Sequence, residues 1–208
     1  MATEAQPKES AMDLILSTRN PSKAEQIKAL LGHLPLRILT LDEAQIKGEA
    51  VEDGTTLEEN AYKKAHYAWL CTGKMSIADD TGLYIDALGG HPGIHAARWA
   101  GRGKTAEEIM QHTLHKLRHV LPADRTATFK TVAMVVMPDG GRREFSGEVR
   151  GMLLPAPRCE LQPNMPYSAI FVPDGQPKVW AEMSVEEENA ISHRGMAFAQ
   201  LRKFLAEL

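Results

Sequence analysis

Two adjacent carboxylates, Asp79 and Asp80, are the residues of this sequence best suited to chemistry. They follow the short apolar run 75–78 and precede a stretch rich in small residues, 81–93. This order predicts a strand that ends at a turn with two negative charges, where open α/β sheets commonly hold their ligands. Adjacent aspartates repel each other unless Mg²⁺ or a basic side chain lies beside them. The alternative is a solvated turn in which one aspartate caps the next element.

A second polar stretch, residues 17–23, follows the first predicted strand. Asn20 suits a helix N-cap and Pro21 suits the first helical position, so a helix is predicted to begin here. Its free N–H groups, its dipole and the cations Arg19 and Lys23 are suited to holding phosphate. The spaced glycines of a Walker loop are missing. An ordinary strand-to-helix connection is the alternative interpretation.

The segments around these residues alternate between strand-like and helix-like hydrophobic spacing, which predicts a single α/β domain at residues 12–208. A polar tail, interpreted as disordered, precedes it at residues 1–11. Lys63 and Lys64 lie on a predicted helix and are interpreted as its solvated face. The predicted strands are 12–16, 36–39, 75–78, 83–85 and 169–172, with a β-hairpin across 125–150, and the predicted helices are 21–31, 57–71, 105–121 and 192–205.

An acidic segment, residues 42–54, separates the second predicted strand from the next helix. It carries five carboxylates and shows no clear periodicity, so it is predicted to be an exposed loop. Such carboxylates are usually solvated. The alternative is that one of them reaches a metal ion near the aspartate pair.

Composition narrows the classes of partner. The chain has 208 residues, of which 43% are hydrophobic and 25% charged, as is ordinary for a soluble globular protein. A net charge of −3 provides no basic field for nucleic acid, so no nucleic-acid partner is expected. No apolar run approaches the roughly 20 residues of a membrane span, so no membrane partner is expected. The two cysteines are far apart and form no CxxC pair, which favours a reducing, cytoplasmic location.

Four separated segments together resemble the Ham1-type family of inosine and xanthosine triphosphate pyrophosphatases. They are the loop 18–23 (T-R-N-P-S-K), the helix start 59–61 (E-N-A), the long central motif 79–93 and the triplet 192–194 (S-H-R). The resemblance covers nearly all of residues 12–205. It implies an elongated mixed β-sheet flanked by helices, with two lobes around a central cleft, and usually a homodimer.

The resemblance also implies an activity and a role for each matching residue. The activity is metal-assisted attack of water on the α-phosphorus of a nucleoside triphosphate, which releases a monophosphate and pyrophosphate, with Mg²⁺ or alternatively Mn²⁺. Asp80 is the implied catalytic carboxylate and metal ligand, with Asp79 and either Glu52 or Glu49 completing the metal site; Glu52 is preferred. The residues assigned to the substrate are Thr18, Arg19, Asn20, Lys23, Thr81, Tyr167, Ser168, Glu188, His193 and Arg194.

The chain departs from the family pattern where the base is recognised. Residues 165–171 read M-P-Y-S-A-I-F against the family's F-G-Y-D-P-I-F, so Ser168 replaces an aspartate. Glu188 replaces the lysine of the family's E-E-K-N-A segment, which exchanges a donor for an acceptor. These changes predict a preference for an amino-bearing or otherwise modified base. Arg19 replaces a loop glycine, where it either adds a phosphate contact or crowds the loop.

The alternative function is a catalytically silent paralogue that binds nucleotide as a sensor or regulatory protein. The loss of base-recognition residues motivates this alternative. The presence of Asn20, Lys23, Asp80, His193 and Arg194 favours an active hydrolase of phosphoric anhydride bonds.

Overall fold

One mixed β-sheet organises residues 12–208, the part of the chain that the computed structural model describes; the tail predicted at 1–11 lies outside it. The strands are β1 (Met12–Leu16), β2 (Leu36–Thr40), β3 (Met75–Ile85), β4 (Pro92–Gly93), β5 (Thr126–Val136), β6 (Arg142–Leu153) and β7 (Phe171–Pro173). The helices are α1 (Pro21–Leu31), α2 (Leu57–Thr72), α3 (Ala106–Lys116), α4 (Val185–Ile191) and α5 (His193–Ala206). Within the described range, no helix has the length and apolar character needed to cross a membrane.

The sheet order is β2-β1-β3-β5-β6-β7, and the short β4 pairs with the end of β3. The β1 strand pairs in parallel with β2 and β3, whereas the pairs from β3 to β7 are antiparallel. The long β3 therefore joins a parallel half of the sheet to an antiparallel half. The predicted hairpin across 125–150 is confirmed as β5 and β6, although β6 continues to Leu153.

Two hydrophobic cores lie along one face of β3 and define two lobes. The first lobe packs α1 and α5 against β1 around Leu16, Ile27 and Phe198. The second lobe packs α3 against the far ends of β3 and β5 around Ile109 and Phe129. Because the two cores are separate, the surface between them forms a cleft over the middle of β3.

Alternation along β3 decides which residues reach that cleft. Side chains two apart share a face of a strand. Ile77 packs in the first core and Leu83 packs in the second, so Asp79 and Thr81 lie between the cores on the same face. The even-numbered residue Asp80 belongs to the opposite face, which is covered by α2.

The prediction of a turn at Asp79 and Asp80 is wrong, because both residues lie inside the continuous strand β3. Two adjacent charges are tolerated there since each carboxylate meets cations on its own face of the sheet: Asp79 meets Lys23, and Asp80 meets Lys64. The pairing of β3 with β5 runs through both aspartates without interruption.

Two predicted boundaries also differ from the structure. The helix predicted at 105–121 ends at Lys116 because Leu117 leaves the helical path and Arg125 binds the exposed carbonyls of Leu117 and Val120. The strand predicted at 169–172 corresponds to β7, which begins two residues later. Ile170 belongs to the preceding turn, where its N–H donates to the carbonyl of Tyr167.

Candidate functional site

Asp80 is held by a lysine that the sequence patterns placed in solvent. The Nζ atom of Lys64 lies 2.7 Å from Oδ1 of Asp80 and 3.2 Å from Oε1 of Glu52. Only 13% of the Lys64 side chain is exposed, so the interpretation of this residue as a solvated face is wrong. Lys63 does match that interpretation, since it pairs with Asp53 near the surface.

The helix α2 delivers Lys64 and also anchors the acidic loop. Asn60 lies one turn before Lys64 and is fully buried, with Oδ1 accepting the N–H of Gly54 and Nδ2 donating to Oδ2 of Asp80 at 3.4 Å. Residues four apart share a helix face. The four-residue spacing of Asn60 and Lys64 is therefore the sequence signal that places Lys64 on the face of α2 that packs against Asp80.

The two carboxylates that contact Lys64, Asp80 and Glu52, have pKa shifts in opposite directions. Burial raises the pKa of Asp80 above its usual range, even though Lys64 and Lys23 favour its ionised form. Burial also acts to raise the pKa of Glu52, but Lys64 overcomes this and the net shift is downward. For Lys64, burial opposes the charge, but Asp80 and Glu52 raise its pKa overall.

Asp79 lies on the other face of β3 and has its own cations. Its Oδ2 atom accepts from Nζ of Lys23 at 2.9 Å, from Nε of Arg194 at 3.3 Å and from the Thr81 hydroxyl at 3.2 Å. Burial would raise the pKa of Asp79, but Lys23 and Arg194 outweigh it and hold the pKa well below its usual range. This carboxylate is permanently ionised and fixes two cations at the floor of the cleft.

The polar loop before α1 has the geometry predicted for a helix start. Oδ1 of Asn20 accepts the N–H groups of Ser22 and Lys23, so Asn20 is the N-cap. Its Nδ2 atom donates to the carbonyl of Asn164 across the cleft, at 3.1 Å. The hydroxyl of Thr18 accepts the N–H of Asn20 at 3.2 Å. The loop is thus braced internally and is also tied to the second lobe.

Arg19 does not point its charge at this helix start. Its guanidinium pairs with Asp42 and donates to the carbonyls of Ile46, at 2.8 Å, and Gly48, at 3.2 Å. The donors of Arg19 are therefore engaged with the acidic loop, and the prediction that Arg19 contacts phosphate or crowds the loop stays a prediction. These bonds fasten the acidic loop to the loop before α1.

The residues predicted to recognise the base line a narrow cavity of about 90 Å³ between the lobes. His193 stacks on Phe129 with ring centroids 4.8 Å apart, and Trp180 lies 6.2 Å from His193. Burial, and then Arg194, lower the pKa of His193 well below its usual value, so its ring is neutral. Glu188 is 3% exposed and closes one end of the cavity.

Two residues predicted to bind substrate use their hydroxyls inside the protein. The Tyr167 hydroxyl donates to the carbonyl of Ala96 at 2.8 Å, and burial raises the pKa of Tyr167. The Ser168 hydroxyl accepts the N–H of Gln162 and donates to the carbonyl of Met165, both at 2.9 Å. Both residues line the cavity, and their hydroxyls shape it.

The predicted trio of metal ligands is only partly assembled. Glu52 and Asp80 converge on one ammonium, whereas Asp79 faces the opposite side of β3 and binds Lys23 and Arg194. Residues 12–208 contain no group of three or more His, Cys, Asp or Glu side chains arranged to hold a metal ion. The donor set that fits a hard cation is therefore the pair Glu52 and Asp80, to which substrate oxygens and water would be added.

Comparison with known proteins agrees with this arrangement. The sequence profile of the Ham1 family matches residues 14–204. A dITP/XTP pyrophosphatase of Geobacter sulfurreducens is 39% identical over 192 residues, which are 92% of this chain and 96% of the relative. A dITP/XTP pyrophosphatase of Bacillus subtilis is 36% identical over 193 residues, which are 93% and 96% of the two chains.

Solved structures show the same fold. A HAM1 protein from Coxiella burnetii superposes with a TM-score of 0.82 at 33% identity, covering 95% of this chain and 100% of the other. The Ham1 protein of Staphylococcus aureus superposes with a TM-score of 0.80 at 32% identity, covering 94% and 98%. The predicted fold class, a mixed sheet flanked by helices, is confirmed.

Proposed function

Because the chain belongs to the Ham1 family, we propose that it is a nucleoside triphosphate pyrophosphohydrolase acting on a non-standard or modified nucleotide. The products are a nucleoside monophosphate and pyrophosphate. The observation that carries this proposal is the convergence of Asp80, Glu52 and Lys64 at the open edge of β3 beyond the end of β1, close enough to the capped start of α1 for Lys23 to act on the pKa of Asp80. Hydrolysis of a triphosphate needs both features: the Asp80 cluster acts at the phosphorus whose bond is cut, and the helix start with Lys23 offsets the negative charge of the phosphates.

The cofactor we propose is Mg²⁺, with Mn²⁺ as the alternative. Mg²⁺ is commonly held by one or two carboxylates together with substrate phosphates and water. Glu52 and Asp80 fit this donor set since their oxygens already converge on one cation, Lys64. When bound, the ion supplies positive charge to the phosphate oxygens around the scissile bond.

The protein's own residues bind and orient the substrate. The cation of Lys23 and the positive end of the α1 dipole attract phosphate oxygens, and Thr18 and Asn20 keep that loop in shape by accepting the N–H groups of Asn20, Ser22 and Lys23. Arg194 and Lys23 remain at the floor of the cleft because Asp79 pairs with both. The triphosphate is thereby aligned over the middle of β3.

Asp80 directs the reacting water. Its carboxylate accepts a hydrogen bond from the water, and Lys64 and Asn60 keep it in one orientation. The water oxygen bonds to the α-phosphorus while the bond from this phosphorus to the bridging oxygen breaks. Pyrophosphate carries away the electron pair of the broken bond. The proton of the water passes to Asp80 and from there to solvent.

The test is pyrophosphate release from a panel of nucleoside triphosphates in the presence of Mg²⁺, with Asp80→Asn as the control. We expect release with at least one non-standard nucleotide and its loss in Asp80→Asn. Binding without release from any nucleotide would instead support a catalytically silent nucleotide-binding protein. That alternative is disfavoured by the intact cluster around Asp80.

We also propose that the protein forms a homodimer and acts in the cytoplasm, without a nucleic-acid or membrane partner. A broad groove of about 1080 Å³ is the surface on which we base the dimer, since it is lined by the apolar side chains of Ile94 and Met196, and Met196 is 44% exposed. Lys130 and Glu148 in the same groove already pair with each other at 2.9 Å, so two-fold pairing would bury mainly the apolar side chains. Light scattering after size-exclusion chromatography tests it, and a mass of one chain would reject it.

A further inference from the structure

One buried carboxylate in the lining of the cavity has no role in the proposed reaction. Glu188 lies on α4, only 3% exposed, and lines the cavity beside Trp180 and His193. Buried carboxylates need hydrogen-bond donors. The neighbouring glutamates Glu186 and Glu187 are exposed, so Glu188 alone is turned inward from this acidic helix start.

Gln162 holds Glu188 in place and contributes no free donor. Its Nε2 atom donates to Oε2 of Glu188 at 3.2 Å and to the carbonyl of Trp180 at 3.3 Å, so both amide hydrogens are used. Its backbone N–H is used as well, by the Ser168 hydroxyl. A carboxylate has about four acceptor sites, so Glu188 keeps acceptor capacity beyond its bonds to Gln162 and Gln26. Burial raises the pKa of Glu188, whereas Arg194 and the two amides favour its ionised form.

Gln162, Ser168 and Glu188 therefore form one hydrogen-bonded chain, which links the two positions where the sequence departs from the family pattern. Glu188 and Gln162 both line the cavity, so their side-chain oxygens are the acceptors that this chain can offer to a ligand there. Nε1 of Trp180 and Nδ1 of His193 also lack a hydrogen-bond partner, but both atoms are buried and not exposed to the cavity. The acceptors of Glu188 are therefore what points to a polar ligand that brings N–H donors.

From this geometry we propose that the cavity selects a purine bearing an exocyclic amino group, with Glu188 as the specificity-determining residue and Gln162 as its positioning residue. The inference rests on the proposed function and names its substrate class. An amino group donates to the carboxylate, whereas a keto oxygen at the same place leaves two acceptors facing each other. A site built to receive a donor rejects the analogue that lacks it.

The experiment measures binding of reaction products, so it needs no turnover. Isothermal titration calorimetry on the full-length protein compares guanosine and inosine monophosphates, which share the ring N1–H and differ only in the 2-amino group. Adenosine monophosphate is added to test a 6-amino group. We expect at least one amino-bearing nucleotide to bind about tenfold or more tightly than inosine monophosphate.

Glu188→Gln is nearly isosteric and tests the residue itself. An amide both donates and accepts, so we expect it to reduce the ratio of the two affinities to within about twofold. Glu186→Gln, on the exposed side of the same helix, is the matched control and should keep the wild-type ratio. Gln162→Met is a second variant, which leaves Glu188 present but removes the group that orients it, and should also lower the ratio.

Tighter or equal binding of inosine monophosphate by the wild-type protein would overturn this inference, and so would an unchanged ratio in folded Glu188→Gln. Pyrophosphate release, measured separately, distinguishes this failure from failure of the proposed function. Release with a preference for keto bases rejects only the amino selection. Retained amino selection without release from any triphosphate rejects only the hydrolase.

Discussion

Lys64 donates to Oδ1 of Asp80 at 2.7 Å, and this pair connects α2 to the middle of β3. Asn60, one turn earlier on α2, holds the other oxygen of the same carboxylate. The carboxylate thus has one orientation, which is the condition for directing a water molecule at a fixed phosphorus. Glu52 joins through the same ammonium, so the position of the acidic loop depends on it as well.

Replacement of Lys64 by methionine should therefore damage both activity and stability. We expect kcat/KM for pyrophosphate release to fall about 10²–10³-fold, because Asp80 loses its orientation and the site loses a positive charge. The free energy of unfolding should fall by about 1–3 kcal/mol, because Asp80 is left buried without its cation. Steady-state kinetics and chemical denaturation measure the two effects.

Lys63→Met is the matched control, since Lys63 is adjacent on α2 and pairs only with Asp53 at the surface. This variant should change kcat/KM and the free energy of unfolding only slightly. Adding Asp80→Asn to Lys64→Met should recover part of the lost stability but none of the activity. If Lys64→Met kept wild-type kinetics while folded, Lys64 would have no part in the site.

The requirement for Mg²⁺ should distinguish two glutamates of the acidic loop. Glu52→Gln should raise the Mg²⁺ concentration for half-maximal activity by about tenfold or more, because one of two carboxylate donors becomes a neutral amide. Glu49→Gln should leave it unchanged, because within the described part of the chain Glu52 pairs with Lys64 and Glu49 does not. Titration of pyrophosphate release with Mg²⁺ gives both values, and the reverse ranking would move the ligand to Glu49.

The sequence predicted the elements well where the signal is local. The hairpin of β5 and β6 and the N-cap Asn20 depend on alternation and on residues within a few positions, and both are confirmed. The uninterrupted path of β3 was not predictable in this way. Its two carboxylates are neutralised by residues 16, 56 and 115 positions away: Lys64, Lys23 and Arg194.

Residue type also proved a poor guide to the direction of a side chain. Arg19 and Ser168 have suitable chemistry for phosphate and base, but the guanidinium turns to the acidic loop and the hydroxyl bridges two backbone groups. Lys64 gives the opposite case, since a lysine on an amphipathic helix is usually solvated. Only the packing of α2 against β3 brings it inward.

Stability should depend on pH through His193. Its pKa is well below 6.5 in the folded protein because burial, and then Arg194 and Lys23, oppose its charge, although Asp79 favours it. The unfolded chain binds a proton at this residue below pH 6.5 and the folded protein does not, so stability is lost as the pH falls below 6.5. The contribution reaches about 1.4 kcal/mol per pH unit.

Denaturant unfolding of wild type and His193→Phe between pH 7.5 and 5 measures this contribution, over a range of about two units around the ordinary pKa. Phenylalanine keeps an aromatic ring against Phe129 without a titrating group. We expect the variant to lose less stability than wild type as the pH falls, since all other groups are shared. Parallel pH profiles for the two proteins would show that His193 is protonated in the folded state.

Arg19 should act on the acidic loop and have little effect on phosphate binding. Its guanidinium already donates to the carbonyls of Ile46 and Gly48 and pairs with Asp42. Arg19→Met should therefore speed amide hydrogen exchange in residues 41–48 several-fold, because the loop loses three bonds to its neighbour. It should change KM for the triphosphate less than about twofold, because none of these bonds involves Lys23 or the N-cap Asn20.

Lys28→Met is the control for Arg19→Met, because Lys28 pairs with Glu43 of the same loop through one exposed ion pair and binds no carbonyl there. Exposed ion pairs contribute little to stability, so this variant should leave the exchange rates near those of wild type. Hydrogen exchange read by mass spectrometry and steady-state kinetics are run on all three proteins. A tenfold rise of KM in Arg19→Met with unchanged exchange would place the guanidinium on phosphate. Faster exchange with unchanged KM establishes Arg19 as the brace that holds the Glu52-bearing loop beside the cleft.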